Sequence, residues 1–192
     1  MRNRLLPPIC AIFAISVFGC QQTPPPTKET TPPVVDKPEN KPPVHVVMKV
    51  QGKGEVKMEL DANKAPATTA RIAELIGQKF YDGQRVHRVE DWVVQWGDPQ
   101  SKQDNWKDLP VGTQGSGQDL PFESNDIPMT RGVVAMASTG EQVGGDSQIF
   151  ILTKDMPGLQ GGYAAFGRVT EGMEVADKIK AGDKITMEVV KE

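Results

Sequence analysis

The chain has few cysteines, no block of like charge and no apolar run long enough to span a bilayer. Its 192 residues include two cysteines, Cys10 and Cys20, both near the N-terminus. The formal net charge is only −3, and basic residues are interspersed with acidic ones. Because no basic stripe is present, we do not expect nucleic-acid binding. The sequence also lacks a Ser-His-Asp set, a metal-ligand cluster and an internal repeat, so we expect no metal site.

The longest apolar run begins at residue 5 and ends at residue 18, after a short basic head. A transmembrane helix needs about 20 apolar residues, so this shorter run predicts a signal peptide over residues 1–19. The sequence Val17-Phe18-Gly19-Cys20 is similar to a bacterial lipobox, which makes Cys20 the predicted lipid-attachment residue. The alternative is an uncleaved or differently cleaved signal with a free Cys20. In the lipoprotein interpretation the mature chain has no thiol, and therefore no disulfide or cysteine chemistry.

Proline dominates the next segment, residues 20–43, which we interpret as a lipid-anchored linker. Such a composition cannot bury apolar surface or hold a helix. In an extended polyproline conformation of about 3.1 Å per residue, it reaches roughly 70 Å at most. We therefore expect an extracytoplasmic protein, anchored by lipid to a bacterial membrane and followed by a folded domain at residues 44–192. In a Gram-negative cell, Gln21 after the lipidated cysteine favours the outer membrane, facing the periplasm.

The folded domain is predicted to be mostly β. Short apolar runs, several of them alternating with polar residues, recur along it, and the predicted strands are 45–50, 55–60, 85–89, 92–96, 132–137, 148–152, 164–169 and 184–190. Helical periods are confined to residues 66–76 and 173–179, and residues 101–128 have the composition of a loop. Many short strands with two helices favour an antiparallel barrel that leaves no exposed edge.

Arg88 lies in one of the predicted strands, after Val86 and His87. A guanidinium is always charged and carries five N–H donors in a rigid fork. In a strand it must therefore face water, pair with a carboxylate or point into a cleft. An ordinary surface ion pair with Glu90 or Asp91 is one alternative, and a functional cleft is the other.

Several short blocks, taken in order, resemble the cyclophilin-type peptidyl-prolyl isomerases. FYDG at Phe80–Gly83, VHRV at Val86–Val89 and VVQWGDP at Val93–Pro99 resemble the family's FYDG, FHRV and MxQGGDP. Further matching blocks are GVVAMA at Gly132–Ala137, GDSQIFI at Gly145–Ile151, LQGGY at Leu159–Tyr163 and FGRV at Phe166–Val169. Any one block is weak, but their shared order and spacing make the resemblance specific over residues 46–192.

The resemblance implies a closed eight-stranded antiparallel barrel capped by two helices. It also implies a monomeric isomerase that needs no cofactor and binds proline-containing unfolded or extended polypeptides. Arg88 matches the family's catalytic arginine. The matching substrate-binding residues are Trp92, Val93, Phe150 and Leu159 in the proline pocket, Gln95 and Gln148 at its polar rim, Ala137 and Ser138 along the substrate backbone, and Tyr163, where the family often has histidine or tyrosine.

The sequence departs from the family pattern beside Arg88. Glu90-Asp91 replaces a turn that is one residue longer and contains a Pro-Gly pair, so two carboxylates either hold Arg88 or compete with substrate for it. Trp92 and Val93 replace phenylalanine and methionine, and Gly158 stands where some members have a tryptophan that contacts cyclosporin. Two functions therefore stay open. One is a peptidyl-prolyl isomerase that assists folding of extracytoplasmic proteins, and the other is a catalytically weak proline-peptide-binding module or holdase.

Overall fold

The computed structural model describes residues 40–190, and these residues form one antiparallel sheet with two α-helices. The strands are β1 Val44–Val50, β2 Gly54–Leu60, β3 Arg88–Glu90, β4 Val93–Trp96, β5 Val133–Met136, β6 Ile149–Leu152, β7 Ala165–Glu171 and β8 Ile185–Val190. Their order in the sheet is β3-β4-β6-β5-β7-β2-β1-β8. The predicted mostly β architecture is therefore confirmed. The predicted signal peptide, the lipid site at Cys20 and most of the linker lie outside the described residues.

Closure of this sheet into a barrel is not confirmed. The two edge strands, β3 and β8, do not pair with each other along their length. The segments that precede them do meet, through an isolated bridge between Arg85 and Lys184. The amide of Ile185 also donates to the carbonyl of Gln84 at 2.9 Å. Because β3 has only three residues and pairs with β4 alone, the closed barrel stays a prediction.

The first helix, α1 at Pro66–Gly77, packs through Ile72, Leu75 and Ile76, which have the i, i+3, i+4 spacing of one buried face. Its N-terminus has no side-chain cap from the residue before it. Instead, the carboxylate of Glu123 accepts from the amides of Ala67 and Thr68 at 2.9 and 2.7 Å. This long-range contact satisfies two amides that a helix start leaves without partners.

The second helix, α2 at Met173–Ala176, is shorter than the predicted span of 173–179. The amides of Lys178 and Ile179 donate to carbonyls only three residues back, at Val175 and Ala176. Such i to i−3 bonds tighten the chain into turns rather than continuing an α-helix. The predicted strand at 85–89 also starts late, because ladder pairing with β4 begins only at Arg88.

The predicted loop between residues 101 and 128 is mostly irregular but contains a short 3₁₀ helix at Trp106–Asp108. A second 3₁₀ helix, Pro99–Lys102, begins just before this loop and is capped by the side chain of Asp98. Within residues 40–190, no helix is both long and apolar enough to cross a membrane.

Candidate active site

Strands β4, β5 and β6 present two different faces, because side chains alternate across a strand. One face fills the main apolar core with Val94, Trp96, Val134, Met136, Ile149 and Ile151. The opposite face contributes Val93, Val133, Ala135, Phe150 and Leu152 to a second, smaller apolar cluster. The partly buried side chains of Trp92, Leu159 and Tyr163 pack against this second cluster. The candidate site lies on this second face.

The second cluster contains the residues predicted to form the proline pocket. The rings of Phe150 and Tyr163 pack edge to face, with centroids 5.6 Å apart and planes at 89°. Trp92 and Leu159 are partly exposed at the margin of the cluster, whereas Val93 is buried with an exposed fraction of 1%. Four of the predicted proline-pocket residues therefore share one cluster, and Val93 lies beneath its surface rather than at it.

Arg88 stands beside this pocket and is held from three directions. Its Nε donates to Oε1 of Glu90 at 2.7 Å, and its Nη1 donates to Oε1 of Gln95 at 3.2 Å. The carbon at the centre of the guanidinium lies 5.1 Å from the centroid of the Trp92 ring, within the range of a cation–π contact. With 43% of its side chain exposed, Arg88 keeps access to a bound molecule.

A chain of amide hydrogen bonds continues from Arg88 into the sheet. The Nε2 of Gln95 donates to Oε1 of Gln148 at 2.9 Å, and the Nε2 of Gln148 donates to the carbonyl of Gln114 at 2.9 Å. Gln95 faces Arg88 in the β3–β4 register and Phe150 in the β4–β6 register, so the ladder itself places the polar rim beside the pocket. The structure thus brings the predicted Arg88, Gln95 and Gln148 into one network.

Two members of this network were missed by sequence reasoning. Gln114 contributes a backbone carbonyl, which no side-chain pattern can reveal. Asp98 is fully buried, and its Oδ2 accepts from the amides of Gly112 and Gln114 at 2.7 and 2.9 Å. Asp98 lies within the recognised VVQWGDP block, but the amides that donate to its carboxylate lie more than ten residues away. Asp98 therefore fixes the loop that presents the Gln114 carbonyl to Gln148.

Gly97 allows this turn to pack against the strand entry of β6. It has a φ of +116°, and a Cβ there would clash with the backbone carbonyl of Ser147. The hydroxyl of Ser147 donates to the carbonyl of Gly97 at 2.9 Å, which ties the two segments together. A side chain at position 97 would push apart the segments that carry Gln95 and Gln148.

A cleft of about 540 Å³ opens next to the pocket. It is lined by Gln95 and Gln148 on one side and by Ala137 and Ser138 on another. The amide of Ala137 donates to the carbonyl of Gln148 at 2.9 Å, so this segment is fixed relative to the polar rim. The residues predicted to run along a substrate backbone thus line a groove that is continuous with the polar rim.

The electrostatics of the site depend on Arg88 and its carboxylate. The hydrogen bond from Arg88 lowers the pKa of Glu90 below its ordinary value, so this carboxylate is ionised at neutral pH. Burial lowers the pKa of the neighbouring His87, which is therefore neutral at pH 7. Among residues 40–190, no group of three histidine, cysteine, aspartate or glutamate side chains is placed to hold a metal ion. The arrangement can grip an apolar ring and present a fixed cation beside it.

The chain is similar to known proteins over most of its length. Residues 45–192 match the family model described as cyclophilin type peptidyl-prolyl cis-trans isomerase/CLD. A probable peptidyl-prolyl cis-trans isomerase of Brucella suis is 37% identical over 150 residues, covering 76% of this chain and 76% of that protein. Peptidyl-prolyl cis-trans isomerase B of Bacillus subtilis is 36% identical over 131 residues, covering 67% of this chain and 85% of that protein.

A solved structure supports the fold independently. The crystal structure of a cyclophilin type peptidyl-prolyl cis-trans isomerase from Cryptosporidium parvum superposes with a TM-score of 0.65. It is 22% identical, and the match covers 78% of this chain and 99% of that one. With the family model covering most of the chain and relatives above one-third identity, the chain belongs to the cyclophilin family and is a peptidyl-prolyl cis-trans isomerase.

Proposed function

We propose that this isomerase assists the folding of proteins outside the cytoplasm, with Arg88 stabilising the twisted X–Pro amide. Rotation about a peptide bond meets a barrier of about 18–20 kcal/mol, and X–Pro bonds exchange in tens to hundreds of seconds. No bond breaks during the rotation, so no nucleophile or base is needed. In the twisted state the amide loses resonance, and the proline nitrogen becomes pyramidal and gains a lone pair. A fixed cation beside that nitrogen stabilises the twisted state more than the planar one.

The observation that carries this proposal is the arrangement of the Arg88 guanidinium beside the apolar pocket. Glu90 and Gln95 accept from Nε and Nη1, and no described residue accepts from Nη2. The donors on the Nη side are therefore available to a substrate held in the pocket. Donors oriented before the reaction contribute most where charge develops in the transition state.

The substrate is placed by the pocket and the cleft together. The proline ring occupies the apolar cluster beside Phe150 and Tyr163, and the residues before it run along Ala137 and Ser138. The solved Cryptosporidium parvum protein was also crystallised in the presence of the dipeptide Ala-Pro, which supports an X–Pro segment as the ligand of this fold. A groove of this kind suits unfolded or extended proline-containing chains acted on by a monomer, and it needs no cofactor.

The proposed location rests on the N-terminal sequence alone. Lipid on Cys20 would hold the isomerase at a bacterial membrane, and the proline-rich residues 20–43 would space it from the surface. Stable anchoring needs two or more acyl chains, since one chain is marginal. Fatty-acid labelling of the full chain and of Cys20→Ser tests this. Loss of the label in the variant is the expected result, and labelling that survives the substitution excludes Cys20 as the attachment site.

A second candidate function is a proline-peptide-binding module or holdase with weak catalysis. The observation that favours it is the ion pair with Glu90, which occupies one donor of Arg88. The two functions differ in what Arg88 does to bound peptide. In an isomerase, Arg88→Ala slows exchange of the X–Pro bond and leaves peptide binding largely intact. In a holdase, the wild-type exchange rate is already close to that of free peptide.

The experiment measures both quantities on the full chain. Exchange of a short Xaa-Pro peptide is followed by NMR, and its affinity is measured by titration, for wild type, Arg88→Ala and Arg88→Lys. We expect both variants to be slow, because an ammonium cannot reproduce the planar fork of arginine. Circular dichroism is the folding control. A folded Arg88→Ala that is as fast as wild type excludes the role proposed for Arg88.

A further inference from the structure

The turn between β3 and β4 carries two carboxylates, and they have different partners. Oε1 of Glu90 accepts from Nε of Arg88 at 2.7 Å. Asp91 is turned away from the guanidinium, and its Oδ2 lies 2.8 Å from the Nζ of Lys154. The backbone carbonyl of Asp91 also accepts from the hydroxyl of Thr153 at 3.1 Å. One carboxylate therefore belongs to the site, and the other ties the turn to the chain that follows β6.

Strand geometry explains why Glu90 is the one that reaches Arg88. Residues two apart on a strand point to the same face, and residues 88 and 90 are the first and last residues of β3. Both side chains are exposed on that face, with exposed fractions of 43% and 46%. Residue 91 falls in the turn, where the chain reverses and this alternation ends.

The effect of Glu90 on the site depends on which N–H group of Arg88 its carboxylate accepts from. Of the five N–H groups of Arg88, one points to Glu90 and one to Gln95. Both N–H groups of Nη2 and the second N–H group of Nη1 remain available to a ligand. The carboxylate thus accepts from Nε–H alone and leaves the end of the guanidinium formed by Nη1 and Nη2 open to a substrate, while Trp92 lies against its face. A carboxylate that competed with substrate would instead accept from both Nη1 and Nη2 at the end of the guanidinium.

We propose that Glu90 is a positioning residue for isomerisation, whose carboxylate fixes the Nε edge of Arg88 so that its Nη donors face the prolyl amide. The inference rests on the role proposed above for Arg88. An arginine side chain on a surface strand otherwise samples many rotamers, and donors that must be ordered during the reaction contribute less to the transition state. Glu90 also lowers the positive potential beside the amide, but this effect is weak because water screens an exposed pair.

The test compares Glu90→Ala and Glu90→Gln with wild type in the full chain, using a capped, uncharged Xaa-Pro peptide. An exposed ion pair has a modest effect, so we expect kcat of Glu90→Ala to fall about two- to fivefold with KM almost unchanged. Glu90→Gln keeps an oxygen that can accept from Nε, and it should recover at least half of the lost rate. At about 1 M salt, where the Debye length is about 3 Å, wild type should approach the rate of Glu90→Gln.

Two matched controls separate positioning from general structure. Asp91→Asn removes the neighbouring carboxylate, which pairs with Lys154 at 2.8 Å instead of Arg88. Glu188→Gln removes a carboxylate with similar exposure, 47%, which pairs with Lys49 at 2.8 Å where β8 adjoins β1. Both controls should keep the wild-type kcat. Melting temperatures are measured for all variants to check that each is folded.

The outcomes distinguish failure of the inference from failure of the proposed function. If Glu90→Ala is as fast as or faster than wild type, or if Asp91→Asn slows the reaction equally, positioning by Glu90 is overturned. If Arg88→Ala is slow and adding Glu90→Ala to it causes no further loss, the two residues act through one step, as proposed. If Arg88→Ala is fully active, the role of Arg88 itself fails, whatever Glu90 does.

Discussion

The two faces of strands β4 and β6 place residues that are adjacent in the sequence in different environments. Trp96 and Ile151 point into the main core and are completely buried. Gln95 and Phe150, directly beside them in the sequence, point to the opposite face, where an apolar cluster meets a row of amides. A single ladder therefore holds both the folding core and the candidate site. Substitutions on one face should alter stability, and those on the other should alter activity.

The largest expected effect is on the core face. Trp96 is fully buried, with its indole Nε1 3.3 Å from the sulfur of Met187. Trp96→Ala should lower the free energy of unfolding by about 3–5 kcal/mol, because it leaves a large cavity. The comparison is Trp92→Ala, in the turn just before the same strand, where the side chain is only partly buried.

Denaturant unfolding and peptide titration of both variants test this division. Trp92→Ala should lose clearly less stability than Trp96→Ala but should bind an Xaa-Pro peptide more weakly, since pocket surface is lost. Equal losses of stability in the two variants would remove the distinction between the faces.

The next effect concerns the amide row on the site face. Gln95→Ala removes the acceptor for Nη1 of Arg88 and the donor to Gln148. Hydrogen bonds to charged groups contribute about 1.5–3 kcal/mol, so kcat/KM should fall about tenfold or more. Gln78→Ala removes an amide from an exposed pair with Glu74 on α1 and serves as the control. An unchanged kcat/KM for Gln95→Ala would show that Arg88 does not depend on this row.

A smaller effect is expected at Gly158, next to the predicted pocket residue Leu159. Gly158 is exposed, and a Cβ placed there meets no atom within 4 Å, so a larger side chain fits. Aromatic residues are frequent anchors in binding interfaces. Gly158→Trp should therefore tighten cyclosporin binding by about tenfold, or about 1.4 kcal/mol, in a fluorescence titration. Tight binding by wild type with no gain in the variant would contradict this placement of residue 158.

The smallest expected effect concerns the ion pair between Arg131 and Asp177, which lies on neither face of β4 and β6. Arg131 donates to both carboxylate oxygens of Asp177, at 2.9 and 2.7 Å, which lowers the pKa of that carboxyl. Its stabilising contribution is therefore present above the ordinary aspartate pKa and is lost as pH falls through the lowered, folded-state value. Because the pair is exposed, the contribution should be below about 1 kcal/mol. Melting curves at pH 7 and pH 3 should show a smaller acid loss for Asp177→Asn than for wild type, with equal isomerase rates at pH 7.

The elements with strong periodicity could be predicted from the sequence. The β1–β2 hairpin and α1 follow their apolar patterns to within a residue or two, because burial of one face dictates them. The end of α2 and the start of β3 were predicted wrongly, since local patterns do not reveal where tertiary hydrogen bonds replace regular ones. These misses lie at the ends of elements and leave the sheet unchanged.

The candidate site could be predicted only for side chains within recognisable blocks. Arg88, Gln95 and Gln148 were predicted and lie in one hydrogen-bond network. The sequence could not show which of Glu90 and Asp91 meets Arg88, because that depends on where β3 ends. Asp98 and the Gln114 carbonyl act through a loop without periodicity. Such contacts join residues distant in sequence and become visible only in three dimensions.

The exchange rate of an X–Pro bond in enzyme-bound peptide is the most direct test of the role proposed for Arg88. NMR exchange at saturating concentrations of an uncharged peptide separates this rate from binding, for wild type and for Arg88→Ala in the full chain. We expect exchange on Arg88→Ala to fall by about 10²–10³, while peptide affinity changes by less than about threefold. A folded Arg88→Ala whose bound peptide exchanges at the wild-type rate would show that Arg88 does not stabilise the twisted amide.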